Sequence, residues 1–490
     1  MGRLGSNTVK RVVVVGGGVG GLTTALYLRD HAPDVPDGVE VTLLEGRDRV
    51  GGNIQTDRDD GWIVERGPNG FLDNVPTTPA LVKRLGLDGK IRKAAERTAK
   101  RYLYRNGRLH LLPTNPVSFL ASPVLSLPGR LRVLLEPFSR SADPDSDETV
   151  YEFGRRHIGH EAASVLIDAM VSGVFAGNIH ELSLASAFPR MAEMEAAHRS
   201  LLKAMIARGK ERRAAKKRLA VMRDRGEDVE ELARPSGPAG PGGTLTSFAD
   251  GLETLVNGLR DELGDSVRLN CKVASLRNDD AGRWRVIVDD GNELEADVIV
   301  LATPSTPAGR LLQPLDDTLG RTIQSIPSAG LAVVALGFDA NGIGGSPDGF
   351  GFLVPRGAGP RILGCLWDSS LFPGRAPKGN VLLRVMIGGA HDPEAVTLGE
   401  ETLLGIVMRD LHTTMGIHAQ PVLTRVYRHP NGIAQYTVGH QRRLDVIHRR
   451  LEQLPGLWVT GSAYYGISMN ACITKAREQV EEIFRYLSSA

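Results

Sequence analysis

Short apolar segments recur along the chain at 12–15, 39–44, 297–302 and 457–460, followed by Gly16, Glu45, Thr303 and Gly461. Runs this short with so little polar interruption fit strands covered on both faces, the condition of a parallel sheet. A helical spacing follows the first through Leu22, Ala25, Leu26 and Leu28. Further helical stripes are predicted at 79–87, 246–263, 401–415 and 470–487, and between 116 and 203 the periodicity is mostly helical, punctuated by prolines. Segments 102–105 and 109–112 flank Asn106-Gly107 and predict a hairpin. Segments 267–269, 273–276 and 284–288 are strand candidates, with a turn near 289–292. Those at 330–338, 350–354, 361–367 and 380–388 are separated by turn signals and predict a mostly antiparallel sheet distinct from the parallel one. A strand is also predicted at 422–427. The expected fold class is α/β within an α+β multidomain chain, without internal repeats.

The first strand runs straight into Gly16-x-Gly18-x-x-Gly21. Gly16 permits the tight bend, Gly18 lets backbone approach a pyrophosphate, and Gly21 lets helix pack on strand. The helix N-terminus then offers free N–H groups and a positive dipole end to phosphates. Glu45, closing the second strand, is placed to accept from ribose hydroxyls. A carboxylate there repels a 2′-phosphate and disfavours NADP. Arg49-Val50-Gly51-Gly52-Asn53-Ile54-Gln55-Thr56 resembles the RxGGxxxT signature of FAD enzymes in the amine oxidase and desaturase superfamily, which implies FAD.

Composition narrows the classes. The chain has 490 residues, more than one simple domain needs, and 41% hydrophobic residues. A formal charge of +2 gives no global pull toward nucleic acid. Cys271, Cys365 and Cys472 are far apart, which argues against a disulfide framework or zinc site and fits a reducing compartment. No apolar run approaches the ~20 residues of a membrane span, and the first residues carry no secretory signal pattern. The basic run 203–225, the acidic stretch after it and the Pro/Gly-rich 235–243 read as a solvated charged helix with a tether. His157, His160, His180 and His198 have irregular spacing and read as structural rather than as metal ligands; no metal is expected.

Other segments resemble protoporphyrinogen oxidases specifically. Glu65-Arg66-Gly67-Pro68-Asn69-Gly70-Phe71 is similar to that family's ExGPxxF segment. Ser172–Asn178 with Glu181-Leu182-Ser183 is similar to its GVFAGN…LS signature, and Phe188-Pro189, Glu195 and His198–Leu202 to its FP…E..HRSL motif. The segment 246–255 is similar to a family helix start. Gly461, Tyr464, Gly466, Ile467 and 470–473 are similar to its C-terminal G…Y.G…CI element. The resemblance spans nearly the whole chain.

It implies oxidation of protoporphyrinogen IX to protoporphyrin IX in three two-electron steps, with FAD as cofactor, oxygen as acceptor and hydrogen peroxide as product. Coproporphyrinogen III is the nearest alternative, and its four propionates ask for more cations than two. An amine oxidase, a carotenoid desaturase and a non-enzymatic FAD scaffold are more remote. The implied architecture is an FAD domain (9–76, 244–305, 424–490), a substrate domain (77–105, 306–423) and a helical, membrane-facing domain (106–243). The implied cofactor positions are Gly16, Gly18, Gly20, Gly21, Glu45, Gly46, Arg49, Gly51, Gly52, Gly67, Pro68, Asn69, Val273, Ala302, Thr303, Gly461, Ile467, Ser468 and Met469. The final helix, starting near Asn470, is expected to aim its positive end at the reduced flavin. Arg101 is implied as the partner of a substrate propionate, with Gly173 opposite it, its carbonyl free for pyrrole N–H groups, and Phe175 nearby. No residue presents itself as a general acid or base, and Asn470 is given no such role. Cys472 reads as a core residue rather than a flavin thioether. The expected setting is cytoplasmic, peripheral on the inner face of the cell membrane, with a homodimer expected and no nucleic-acid partner.

Overall fold

The apolar runs form one parallel sheet. In the computed structural model, Val267–Arg268, Val39–Leu44, Lys10–Val15, Val298–Leu301 and Leu457–Val459 lie side by side in that order. The structure describes residues 9–489 except 35–37, 114, 141, 144–145, 199, 201–202, 204–242 and 280–282. Alternation splits the central strand between two cores. Val12 and Val14 face the helices Val19–His31, Glu253–Leu263 and Met469–Ser489 through Leu22, Leu259 and Ile473. Val13 and Val15 face the opposite layer, with Trp284, Leu312, Ile323 and Ile447. That layer contains a separate antiparallel sheet of Val273–Asn278, Trp284–Val288 and Glu293–Ala296.

The stripe expected as one helix over 246–263 divides in two. Leu245–Phe248 is a strand, paired with Phe71–Leu72 and Ile91–Lys93, and the helix begins only at Glu253. The break falls at Gly251, where φ is +96° and an added Cβ would meet the Thr56 side chain at 2.3 Å. Only glycine suits that position.

A second large sheet has seven strands in the order Leu423–Ala434, Ser328–Asp339, Asn380–Gly388, Ile362–Leu366, Gly351–Leu353, Tyr102–Arg105 and Arg108–Leu111. It is antiparallel except where Gly351–Leu353 meets Tyr102–Arg105. Asn106 (φ +52°) and Gly107 (φ +78°) make the tight turn of its last hairpin. The boundary expected at 424 shifts, because Leu423–Ala434 is hydrogen-bonded into this sheet along its length. Pro430-Asn431-Gly432, which reads as a strand breaker, is absorbed by a register shift opposite Ala329 and Leu331. Arg108–Leu111 likewise belongs to this sheet rather than to the helical part.

Helices Leu127–Leu134, Val150–Ile158, Asp168–Phe175 and Pro189–His198 form the third part. A buried imidazole ties it together: His157 Nδ1 lies 2.9 Å from Glu136 and Nε2 3.1 Å from Glu195. Ser200 donates to Glu136 at 2.7 Å. The charged stretch 203–243 lies outside the described residues, except Lys203 and Gly243. Arg199, Leu201 and Leu202 of the HRSL motif lie outside them too. Among the described residues no helix is long and apolar enough to cross a membrane.

Candidate active site

The glycine turn and its neighbours build a cradle. Glu45 accepts the backbone N–H of Gly17 at 2.8 Å and of Arg47 at 2.9 Å, fixing its carboxylate beside the turn. Gly51 N–H donates to the Gly17 carbonyl at 2.7 Å, which brings the 49–52 loop against the first turn. Arg49 donates to the Gly52 carbonyl at 3.1 Å, and burial lowers its pKa, with Arg47 adding to the effect. Cys271 N–H bonds the Glu45 carbonyl at 2.9 Å, and Gly46 sits against Lys272, so Val273 begins its strand close to Glu45. Cβ atoms added at Gly16 and Gly20 would meet Ala302 at 3.0 Å and Gly461 at 3.6 Å. At Gly67 an added Cβ would meet the Asn53 carbonyl at 2.5 Å. The cofactor positions expected from separate parts of the chain therefore converge.

The cradle fits an FAD molecule on three observations. Gly18 has nothing within 4 Å of an added Cβ, leaving open space where a diphosphate would lie. The hydroxyls of Thr303 and Thr460 are buried without a partner among the described residues. Buried hydroxyls are ordinarily bonded, so their position beside the cradle suits a polar ligand. Tyr436 braces the 461–466 loop, donating to the Ser462 carbonyl at 2.6 Å and accepting Gly466 N–H at 2.7 Å.

Ser468 accepts Ala471 N–H at 3.1 Å at the start of the last helix. Ile467 packs in the cluster containing Tyr436, and Met469 is buried in the core against the first helix. The Cβ of Cys472 lies 3.9 Å from an added Cβ at Gly20, so this helix begins beside the glycine turn. Asn470 is structural: it donates to the Leu72 carbonyl at 2.9 Å and accepts from Thr78 at 2.7 Å. Burial pushes the Cys472 thiol up to about 12, so it stays a protonated thiol.

A cavity of about 720 Å³ opens from this region between the seven-stranded sheet and the helical part. Pro68, Asn69 and Gly70 form one end. The walls are mostly apolar, among them Leu103, Phe119, Leu166, Met170, Phe352 and Leu353. Among the described residues, Arg101, Tyr102 and Arg130 are the only titratable side chains lining it, and no carboxylate or imidazole does so. Arg101 lies 4.8 Å over the Phe350 ring and has no carboxylate partner among the described residues. Burial alone lowers its pKa.

Gly173 lines the cavity, and an added Cβ there would come within 2.7 Å of Leu353. Phe175, expected at the substrate, is turned away. It is 3% exposed and packs on Phe188 and Tyr436, because the helix ends at Ala176 in a left-handed conformation (φ +47°). Two features were missed in the sequence. Arg130 reads as one more cation among leucines. The buried ion pairs Glu65–Arg375 and Asp368–Arg384, at 3.1 and 2.9 Å, join residues some three hundred positions apart or at a helix start, with no local signal.

Comparisons agree with this geometry. The family description for flavin-containing amine oxidoreductases matches residues 19–484. A coproporphyrinogen III oxidase of Bacillus subtilis is 32% identical, covering 99% of this chain and 100% of that protein. A protoporphyrinogen oxidase of Bos taurus is 35% identical, covering 97% and 98%. A solved structure from Exiguobacterium, assigned as a protoporphyrinogen oxidase, superposes with a TM-score of 0.79 at 28% identity, covering 97% of this chain and 98% of that one.

Proposed function

The chain belongs to the flavin-containing amine oxidoreductases, and among them to the porphyrinogen oxidases, and on that premise we propose that this FAD-dependent oxidoreductase converts coproporphyrinogen III to coproporphyrin III, with oxygen as acceptor. Six hydrogens leave the macrocycle in three two-electron steps, and three oxygen molecules become three of hydrogen peroxide. The observation that carries the reading is the cavity: apolar, large enough for a macrocycle, lined in part by Pro68, Asn69 and Gly70, and furnished with cations but no carboxylates among the described residues.

When bound, FAD supplies the hydride acceptor, and the protein's part is binding and orientation. Arg101 offers a planar fork for a propionate, fixing direction as well as adding attraction. Gly173 lets the macrocycle approach backbone closely. The apolar walls keep water from the methylene bridges. With no carboxylate or imidazole among the described residues that line the cavity, those residues bind and orient rather than move protons.

Coproporphyrinogen III is favoured by the Bacillus relative, matched end to end, and by the open mouth at Val174, 49% exposed, where further carboxylates stay in water. Protoporphyrinogen IX is the second reading, favoured by the cavity's two arginines, which equal its two propionates. A peripheral membrane contact belongs to the same proposal, through Leu127, Leu131, Leu135 and Phe138, which are all exposed. The test is anaerobic addition of each porphyrinogen to the holoenzyme, followed by air. Flavin absorbance should bleach and recover, with peroxide formed and porphyrin fluorescence appearing fastest from the true substrate. If neither porphyrinogen bleaches the flavin, the proposal fails.

A further inference from the structure

The helix Leu127–Leu134 is inside out for a surface helix. Leu127, Leu131 and Leu134 are 62, 52 and 46% exposed, whereas Arg130 turns inward and lines the cavity. Amphipathic helices ordinarily bury the leucines and leave the cation in water.

Polar bonds hold this helix in place. Ser126 caps it by accepting Gly129 N–H at 3.1 Å, and Ser126 N–H donates to Glu161 at 2.9 Å. Glu161 also takes Arg105, from the strand bordering the cavity, at 2.8 Å. Arg132 points the other way and donates to the carbonyls of Arg156 and His157 at 2.8 and 3.0 Å. The inward direction of Arg130 is therefore built in.

Inside, one Nη of Arg130 donates to the Leu120 carbonyl, which orients the guanidinium. Its Nε is buried and has no partner, and no carboxylate pairs with it among the described residues. A buried donor without a partner is satisfied when an acceptor reaches it. Arg101, on the sheet side of the cavity, stacks on Phe350 and also lacks a carboxylate partner among the described residues.

We infer that Arg130 is a second carboxylate anchor, which together with Arg101 selects an apolar ligand carrying two carboxylates, gripped from the sheet wall and from the helical wall. The inference rests on the porphyrinogen reading above and deepens it. Two carboxylates are fixed inside the cavity, and any others project through the mouth. The ligand's in-plane rotation is then set, and with it which methylene bridge faces the flavin.

The test compares wild-type holoenzyme with Arg130→Met and Arg130→Lys. Binding of coproporphyrin, protoporphyrin and their methyl esters is measured by fluorescence quenching, alongside KM and kcat. Loss of a charge-assisted contact corresponds to about 10- to 150-fold in affinity. Arg130→Met should weaken binding of the free acids and raise KM within that range. Arg130→Lys should restore part of the loss. The esters should bind wild type and variants alike, a result that a mere packing role would not give.

Equal affinity of wild type and Arg130→Met for the acids would overturn the inference, as would an equal loss for acids and esters. Should wild type oxidise neither porphyrinogen, the proposed function fails. The anchor is then judged by porphyrin binding alone, and absence of an Arg130-dependent preference for acid over ester rejects it. If Arg130→Met does not fold, Arg130→Lys decides by the same acid-to-ester ratio.

Discussion

Replacing Arg384 by methionine tests how the inner end of the cavity is held. Arg384 is 2% exposed, and its Nε lies 2.9 Å from Asp368. Its Nη1 donates to the carbonyls of Gly67 and Glu65 at 2.5 and 3.2 Å. Asp368 also accepts from Asn69 at 3.2 Å, so one buried pair fixes both backbone and side chain of the loop facing the cavity. Glu65 pairs with Arg375 and takes Thr56 at 2.7 Å and Leu252 N–H at 2.8 Å, which extends the network into the flavin cradle. Burial pushes the Asp368 and Glu65 carboxyls up, and the arginines pull them back.

Breaking such a pair leaves a buried charge and costs about 3–5 kcal/mol. The double variant Arg384→Met/Asp368→Leu removes that charge but still strands the two carbonyls, at about 1–3 kcal/mol. The double should therefore be more stable than the single by about 2 kcal/mol, a sign that simple addition of two damaging changes does not give. Thermal unfolding of the holoenzyme with excess FAD measures this, and steady-state kinetics should show a lowered kcat as the 67–70 loop shifts. A single variant losing less than about 1 kcal/mol, or a double less stable than the single, would refute the reasoning.

Three other outcomes are expected. Glu45→Ala should keep the fold by circular dichroism but lose FAD on gel filtration, since the carboxylate orders Gly17 and is proposed to accept from the ribose; full flavin retention would count against that role. Arg101→Ala should raise KM by roughly 10- to 150-fold, with Arg101→Lys recovering part, and unchanged kinetics in both would remove it as an anchor. Burial raises the Glu195 pKa, but Arg156 and His157 more than offset this, and the net shift is downward from 4.5. The stability it contributes is complete above about pH 4.5 and is lost as pH falls through the folded pKa. Glu195→Gln should flatten the melting temperature between pH 3 and 5, whereas parallel curves would show that the carboxylate is not the titrating group.

What could be read in the sequence was local. The four apolar runs, the glycine turn and Glu45 declare themselves because their chemistry lies within one strand–turn–helix unit. Arg101 came from resemblance, and it lines the cavity. The strand Leu245–Phe248 was hidden because Phe248 and Leu252 satisfy a helical spacing as well as a strand end. Leu423–Ala434 was cut short by Pro430 and Gly432, which a bulge accommodates. Phe175 was misplaced because a motif gives neighbourhood and not side-chain direction, and Ala176 reverses the chain just beyond it. Arg130 could not be distinguished from a solvated cation, since only the third dimension shows its helix turned leucines outward. The Asp368–Arg384 network joins parts brought together by folding alone.

The order of strands in the parallel sheet bears on how the protein is made. Lys10–Val15 pairs with Val298–Leu301, which in turn pairs with Leu457–Val459, so neighbours in the sheet are made long after one another. The helix Met469–Ser489 covers the first helix and closes its core. Domains generally fold as units, earlier ones first, during synthesis. Here the nucleotide-binding unit has no such head start. Lys10–Val15 and the helix Val19–His31 keep part of their apolar faces uncovered until Met469–Ser489 has been made. A chain that stops before Leu457 lacks both the edge strand and the covering helix of its flavin cradle.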